Sequence, residues 1–119
     1  MNQTIDYLNK QTTIRPEIGI ILGSGLGDFA ESIENAVAIP YKDIPGFKQS
    51  TVQGHSGELI FGTLAGKNIV AMKGRIHFYE GVAMEDVVFP TKIFCELGVK
   101  TLIVTNAAGG VNEAFEPGD

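Results

Sequence analysis

Glu17-Ile18-Gly19-Ile20-Ile21-Leu22-Gly23-Ser24-Gly25-Leu26-Gly27 is the stretch on which the reading of this 119-residue chain turns. Its first half is a short, nearly continuous apolar run, the pattern of a strand buried on both faces and typical of α/β proteins. The run stops at Gly23, and Leu26 to Ile33 beyond the glycine loop reads as a short helix. A strand that opens through bare backbone amides onto a helix start is a natural anion nest, with the Ser24 hydroxyl as a further donor. The same turn also suits a plain strand-to-helix connection that needs glycine, with Ser24 as the helix cap. The segment nearly spells a dinucleotide fingerprint, but Asp28 replaces its final glycine, and an aspartate beside a pyrophosphate is unfavourable.

Three further stretches repeat the theme of polar residues among glycines beside an apolar strand. They are Gly54-His55-Ser56-Gly57, Gly74-Arg75-Ile76-His77-Phe78-Tyr79-Glu80-Gly81 and Thr105-Asn106-Ala107-Ala108-Gly109-Gly110. Taken together, the stretches describe an anion site of backbone amides, one arginine and both imidazoles of the chain. If the segment from Gly74 to Gly81 is extended, Arg75, His77 and Tyr79 point to one face and Ile76 and Phe78 to the other. The planar fork of Arg75 suits bidentate binding of a phosphate or carboxylate. His77 can donate to the same anion, whose charge would raise its pKa, and Glu80 can orient that ring. A surface strand with a cation–π or ion pair among Arg75, Tyr79 and Glu80 fits this segment equally well. Ala107 offers a backbone N–H that its small side chain leaves accessible, although a tight turn demands small residues too. His55 taken alone is an ordinary loop histidine.

Other chemistries find less support. Metal-ligand spacing is missing around the two histidines and the single Cys95, so zinc is not expected. A nucleophile-elbow pattern is absent, and Cys95 falls in an apolar helical stripe. The net charge of −5 does not suit a nucleic-acid or acidic-membrane partner, and Lys73, Arg75, His55 and His77 stand out against that background. Hydrophobic content of 44% and charged content of 19% give an ordinary globular balance for one domain. One cysteine excludes an internal disulfide framework and suits a reducing cytoplasm. The sequence Met1-Asn2-Gln3-Thr4-Ile5-Asp6 lacks a secretory pattern, and no apolar run reaches membrane-spanning length. These features read as a soluble, cytoplasmic protein.

The remaining elements follow from periodicity. Ile5 and Leu8 predict a lead helix over 1–11, ended by Arg15-Pro16. Ala36 to Tyr41 reads as a strand, followed by a loop marked by Pro40, Pro45 and Gly46. Glu58 to Leu64 and Asn68 to Lys73 read as a hairpin joined by Ala65-Gly66-Lys67. Val87, Phe94 and Leu97 form a helical stripe over Met84 to Leu97, with Gly98 as its cap; Pro90 implies that the helix starts there or kinks. Val99 to Thr105 reads as another buried strand. The chain stops at Asp119, nine residues after Gly110, before anything returns to cover that strand. Crossover connections in parallel sheets normally do return, so the sequence reads as cut.

In order and approximate spacing, GSGLG, GHSG, GRIHFYEG and TNAAGG resemble the N-terminal half of the trimeric purine nucleoside phosphorylases, from Ile18 to Asp119. The related methylthioadenosine phosphorylases share the glycine–arginine–histidine core but lack the Phe78-Tyr79-Glu80-Gly81 continuation. The resemblance implies an α/β fold with a mixed central sheet flanked by helices, of the phosphorylase/hydrolase-like type. It implies phosphorolysis of purine (deoxy)ribonucleosides to free purine and (deoxy)ribose 1-phosphate. It assigns phosphate contacts to Ser24, His55, Arg75 and the Ala107 amide. His77 resembles the family histidine over ribose and phosphate, and Tyr79 the tyrosine on the sugar. Inorganic phosphate is then a co-substrate, with no cofactor or metal, and the full-length protein a homotrimer. The family's base-reading glutamate and asparagine, and a further phosphate-binding serine, fall beyond residue 119. The chain is accordingly expected to be the N-terminal part of one domain, inactive by itself. The alternative from another class is a non-catalytic phosphate- or nucleoside-binding remnant.

Overall fold

The sheet is built around the apolar run that precedes Gly23. Ile18–Leu22 forms β1, and its residues from Gly19 onward are buried. The computed structural model describes residues 2–23, 26–48, 57–74, 83–105, 111–114 and 116. Around β1 stand β2 (Glu34–Pro40), β3 (Glu58–Leu64), β4 (Lys67–Lys73) and β5 (Thr101–Val104), with α1 (Asn2–Gln11) and α2 (Met84–Glu96). The strand order is β2-β3-β4-β1-β5. β1 runs parallel to β4 and β5, whereas β3 is antiparallel to β2 and β4, so the sheet is mixed as expected.

Alternation divides the core between two faces, because successive side chains of a strand point to opposite sides. Ile21, Leu59, Phe61, Val70 and Met72 pack on one face with Leu8 of α1 and Ile93 and Phe94 of α2. Ile20, Ile60, Ile69 and Ala71 pack on the other with Ala30 and Ile33. Gly19 permits the first arrangement. A Cβ there would lie 2.7 Å from Phe94 Cδ2, so α2 rests where a side chain would otherwise stand.

The turns explain several boundaries. Leu64 pairs with Lys67, and both Ala65 (φ 52°) and Gly66 (φ 79°) are left-handed. This is a two-residue hairpin turn, which makes Lys67 the first residue of β4 rather than part of the loop. The C-terminus of α2 closes with Gly98 N–H donating to Cys95 O at 3.1 Å and Val99 N–H to Phe94 O at 3.0 Å. With Gly98 at φ 97°, that is a Schellman cap.

The structure corrects some expectations. The first helix stops at Gln11, before Arg15-Pro16, because Thr12 Oγ1 accepts the Ile14 N–H at 3.1 Å and turns the chain away. Its buried residues are Thr4 and Leu8. The short helix read over Leu26 to Ile33 is present as a 3-10 helix over Gly27–Ser32. α2 begins at Met84 and runs through Pro90, which lies buried inside it, so Pro90 is not its start. Cys95 is exposed: it falls between Phe94 and Leu97 in sequence but faces outward from the stripe. Within these 119 residues β5 is uncovered, as expected from the lack of a returning segment: it ends the sheet order, and α2 packs over the inner strands.

Candidate functional site

Register places five chain ends on one edge of the sheet. Pro40 pairs with Glu58, Glu58 with Lys73, Leu22 with Lys73 and Ile21 with Val104. The edge therefore collects the ends of β2, β4, β1 and β5 and the beginning of β3. The chain crosses it at Tyr41, Gly57, Gly74, Gly23 and Thr105. Four of these bound the glycine-rich stretches: Gly23 precedes Ser24, Gly57 follows His55, Gly74 precedes Arg75 and Thr105 precedes the segment with Ala107. Ligands of open α/β sheets lie outside the carboxyl ends of the parallel strands, and β1, β4 and β5 present theirs here. Ser24, His55, Arg75, His77, Tyr79, Glu80 and Ala107 themselves lie outside the described residues, as does the expected extended run from Arg75 to Gly81. The described anchors of these segments converge.

Two side chains tie the anchors together. Thr105 Oγ1 accepts the Gly23 N–H at 2.9 Å and donates to Ile21 O at 2.8 Å. The Thr105 N–H donates to the same carbonyl at 3.0 Å. The exits of β1 and β5 are thus stitched by one residue. On the other side of β1, the Tyr41 N–H donates to Gly57 O at 3.1 Å, and its hydroxyl donates to Gly74 O. Burial pushes the Tyr41 phenol well above its ordinary range, and the Glu58 carboxylate adds to the effect. The hydroxyl remains a protonated donor throughout the physiological range.

A cation completes the described part of the edge. Lys73 ends β4, and its Cε lies 3.5 Å from where a Cβ on Gly27 would stand, against the turn that follows β1. A hollow lined by Ile21, Tyr41, Phe47, Met72, Val87 and Pro90, together with Lys48, Asp86 and Thr91, lies behind, under α2. Among the described residues, no three His, Cys, Asp or Glu side chains gather as metal ligands, and no helix is long and apolar enough to cross a membrane.

Sequence reasoning gave Tyr41 and Thr105 no role beyond closing strands. A signal existed for Thr105, a β-branched hydroxyl at a strand exit with a glycine loop to face. For Tyr41 the only hint was an aromatic residue closing the strand read over Ala36 to Tyr41, which in the structure ends at Pro40.

Residues 17–119 match the family model of the phosphorylase superfamily, and the chain belongs to that superfamily. It is 54% identical over 119 residues to purine nucleoside phosphorylase 1 of Geobacillus stearothermophilus, covering 100% of this chain and 43% of that protein. Its identity to purine nucleoside phosphorylase 1 of Bacillus subtilis (strain 168) is 60% over 113 residues, 95% of this chain and 42% of the relative. Among solved structures, a purine nucleoside phosphorylase in complex with ribose-1-phosphate shares the fold with a TM-score of 0.93 at 49% identity. That likeness covers 99% of this chain and 43% of the other. The chain spans less than half the length of these relatives.

Proposed function

We propose that this chain supplies the phosphate and ribose side of a purine nucleoside phosphorylase acting on purine (deoxy)ribonucleosides. The observation that carries the reading is the convergence of Gly23, Gly57, Gly74 and Thr105 on one sheet edge. These residues bound every stretch able to bind an anion, and ribose 1-phosphate is bound by a protein of the same fold.

In this reading the Ser24 hydroxyl, His55, the Arg75 fork and the Ala107 N–H hold phosphate beneath the sugar. His77, oriented by Glu80, donates to the phosphate and aims its attacking oxygen, while Tyr79 contacts the ribose. Breaking the glycosidic bond gives the sugar oxocarbenium character. A held dianion stabilises that charge and supplies the nucleophile in one place. A phosphate oxygen bonds to C1′ as the C1′–N9 bond breaks; the electron pair leaves with the purine, which takes up a proton. The displacement involves no redox change, so it calls for no cofactor beyond phosphate as co-substrate. Stabilisation of the departing base falls to the remaining length that the relatives possess. The working protein is a cytoplasmic homotrimer in which residues 1–119 are the N-terminal part of one domain.

The test is release of hypoxanthine from inosine, or guanine from guanosine, by the full-length gene product with and without phosphate. Release only with phosphate is expected, and release at equal rates without it would make the protein a hydrolase. Loss of phosphate binding in Arg75→Ala is the companion result.

A further inference from the structure

We propose that Tyr41 is a positioning residue for the phosphate site: it holds Gly57 and Gly74 together and thereby sets the spacing of the segments that carry His55 and Arg75. The proposal rests on the phosphorolytic reading above and adds to it a residue that touches no substrate.

Tyr41 is 3% exposed, at the junction of β2 with the following 3-10 turn Tyr41–Asp43. Its backbone and side chain grip different loops. The N–H donates to Gly57 O at 3.1 Å, at the point where the chain enters β3. The hydroxyl donates to Gly74 O, the last carbonyl before Arg75. That carbonyl belongs to the peptide unit that joins Gly74 to Arg75, so the hydroxyl holds the chain at the point from which the Arg75 segment leaves β4. Gly74 sits at φ 90°, where only glycine is unstrained, so its carbonyl direction is a built feature of the strand exit. The ring also decides residue 57, since any Cβ there would overlap Tyr41 ring carbons. Phe47 keeps the ring in place with centroids 5.4 Å apart, and Phe89 backs Phe47 edge-on at 5.7 Å. Tilted and edge-on aromatic contacts thus fix a residue whose backbone N–H holds Gly57 and whose phenol holds Gly74. A residue that only filled the core would leave that oxygen without this task.

The experiment compares wild type, Tyr41→Phe and, as a destabilised control away from the edge, Gly19→Ala, all in the full-length protein. Tyr41→Phe keeps the ring and removes the donor. The expected result is a rise of about tenfold in KM for phosphate, the scale of one buried hydrogen bond, with KM for inosine within about twofold. Gly19→Ala lowers Tm without moving KM for phosphate. Equal KM for phosphate in Tyr41→Phe and wild type overturns the proposal, as does an equal rise in the control. Should Tyr41→Phe not fold, fluorinated tyrosine at position 41 replaces it. Its more acidic phenol stops donating at alkaline pH, and KM for phosphate must then rise with pH beyond the wild-type profile. An unchanged profile overturns the proposal. If wild type shows no phosphate-dependent turnover, the functional reading fails separately, and Kd for inorganic phosphate decides the role of Tyr41. Weaker binding in Tyr41→Phe supports the role, and equal or absent binding ends it.

Discussion

Thr105 Oγ1 and the Gly23 N–H meet at 2.9 Å across 82 residues of sequence, joining the first residue after β5 to the first residue after β1. The same oxygen donates to Ile21 O at 2.8 Å, so one hydroxyl serves as both acceptor and donor at the exits of two strands. The spacing of the β1 and β5 exits is therefore set by a side chain as well as by the β-ladder.

Thr105→Val tests this stitch. Valine keeps the shape and leaves the part-buried Gly23 N–H without its partner, a loss of about 1–3 kcal/mol of stability. Urea midpoints measure the loss, and KM for phosphate is expected to rise with it. A variant as stable as wild type would mean that water satisfies the Gly23 N–H and that the stitch is dispensable.

Arg75→Ala and Arg75→Lys separate charge from geometry. Lysine keeps the positive charge but not the planar fork. Both are expected to lose about 100-fold or more in kcat/KM for phosphate, because a charged partner of the anion is removed or blunted. Full activity in Arg75→Lys would show that only the charge matters.

Lys73 is expected to make a smaller contribution. It is exposed, and an exposed charge near an anion is screened and contributes up to about 1 kcal/mol. Lys73→Ala should weaken phosphate binding by about two- to fivefold at low salt and less at high salt. A salt-independent effect, measured by calorimetry, would place Lys73 in direct contact instead.

Alkaline pH should expose Tyr41. Burial raises its pKa above the ordinary 10.0, so the folded state keeps a proton that the unfolded chain gives up. The resulting stability is fully present below pH 10 and is lost as pH rises further, by up to about 1.4 kcal/mol per pH unit. The advantage of wild type over Tyr41→Phe in urea denaturation must therefore shrink above pH 10. A constant gap would mean that the phenol ionises as readily in the folded protein as in the unfolded chain.

Packing explains which parts of this fold could be read from the residues alone. β3 runs over Glu58–Leu64, as expected for the first arm of a hairpin closed at Ala65-Gly66, and Gly98 caps α2 because the left-handed position there demands glycine. These are local requirements, and a local sequence carries them. What covers β5 is not a local matter. Leu102, Ile103 and Val104 have a buried strand's composition, and their surroundings decide whether they are covered. Arg75, His55 and His77 were legible as candidates because they stand among glycines in an acidic chain. The convergence of the anchors Gly23, Gly57, Gly74 and Thr105 was not, because it depends on register between β1, β3, β4 and β5. Tyr41 and Thr105 act across 33 and 82 residues, and no periodicity links such partners.

The central claim, that phosphate is the nucleophile at this edge, is tested most directly with phosphate carrying oxygen-18 at all four positions. The full-length protein is incubated with inosine and the labelled phosphate, and the sugar phosphate is analysed by mass and phosphorus NMR. Attack by phosphate oxygen on C1′ predicts ribose 1-phosphate that retains all four labels, with one of them bridging carbon and phosphorus. Free ribose as the first product, or a sugar phosphate with an unlabelled bridging oxygen, would contradict it.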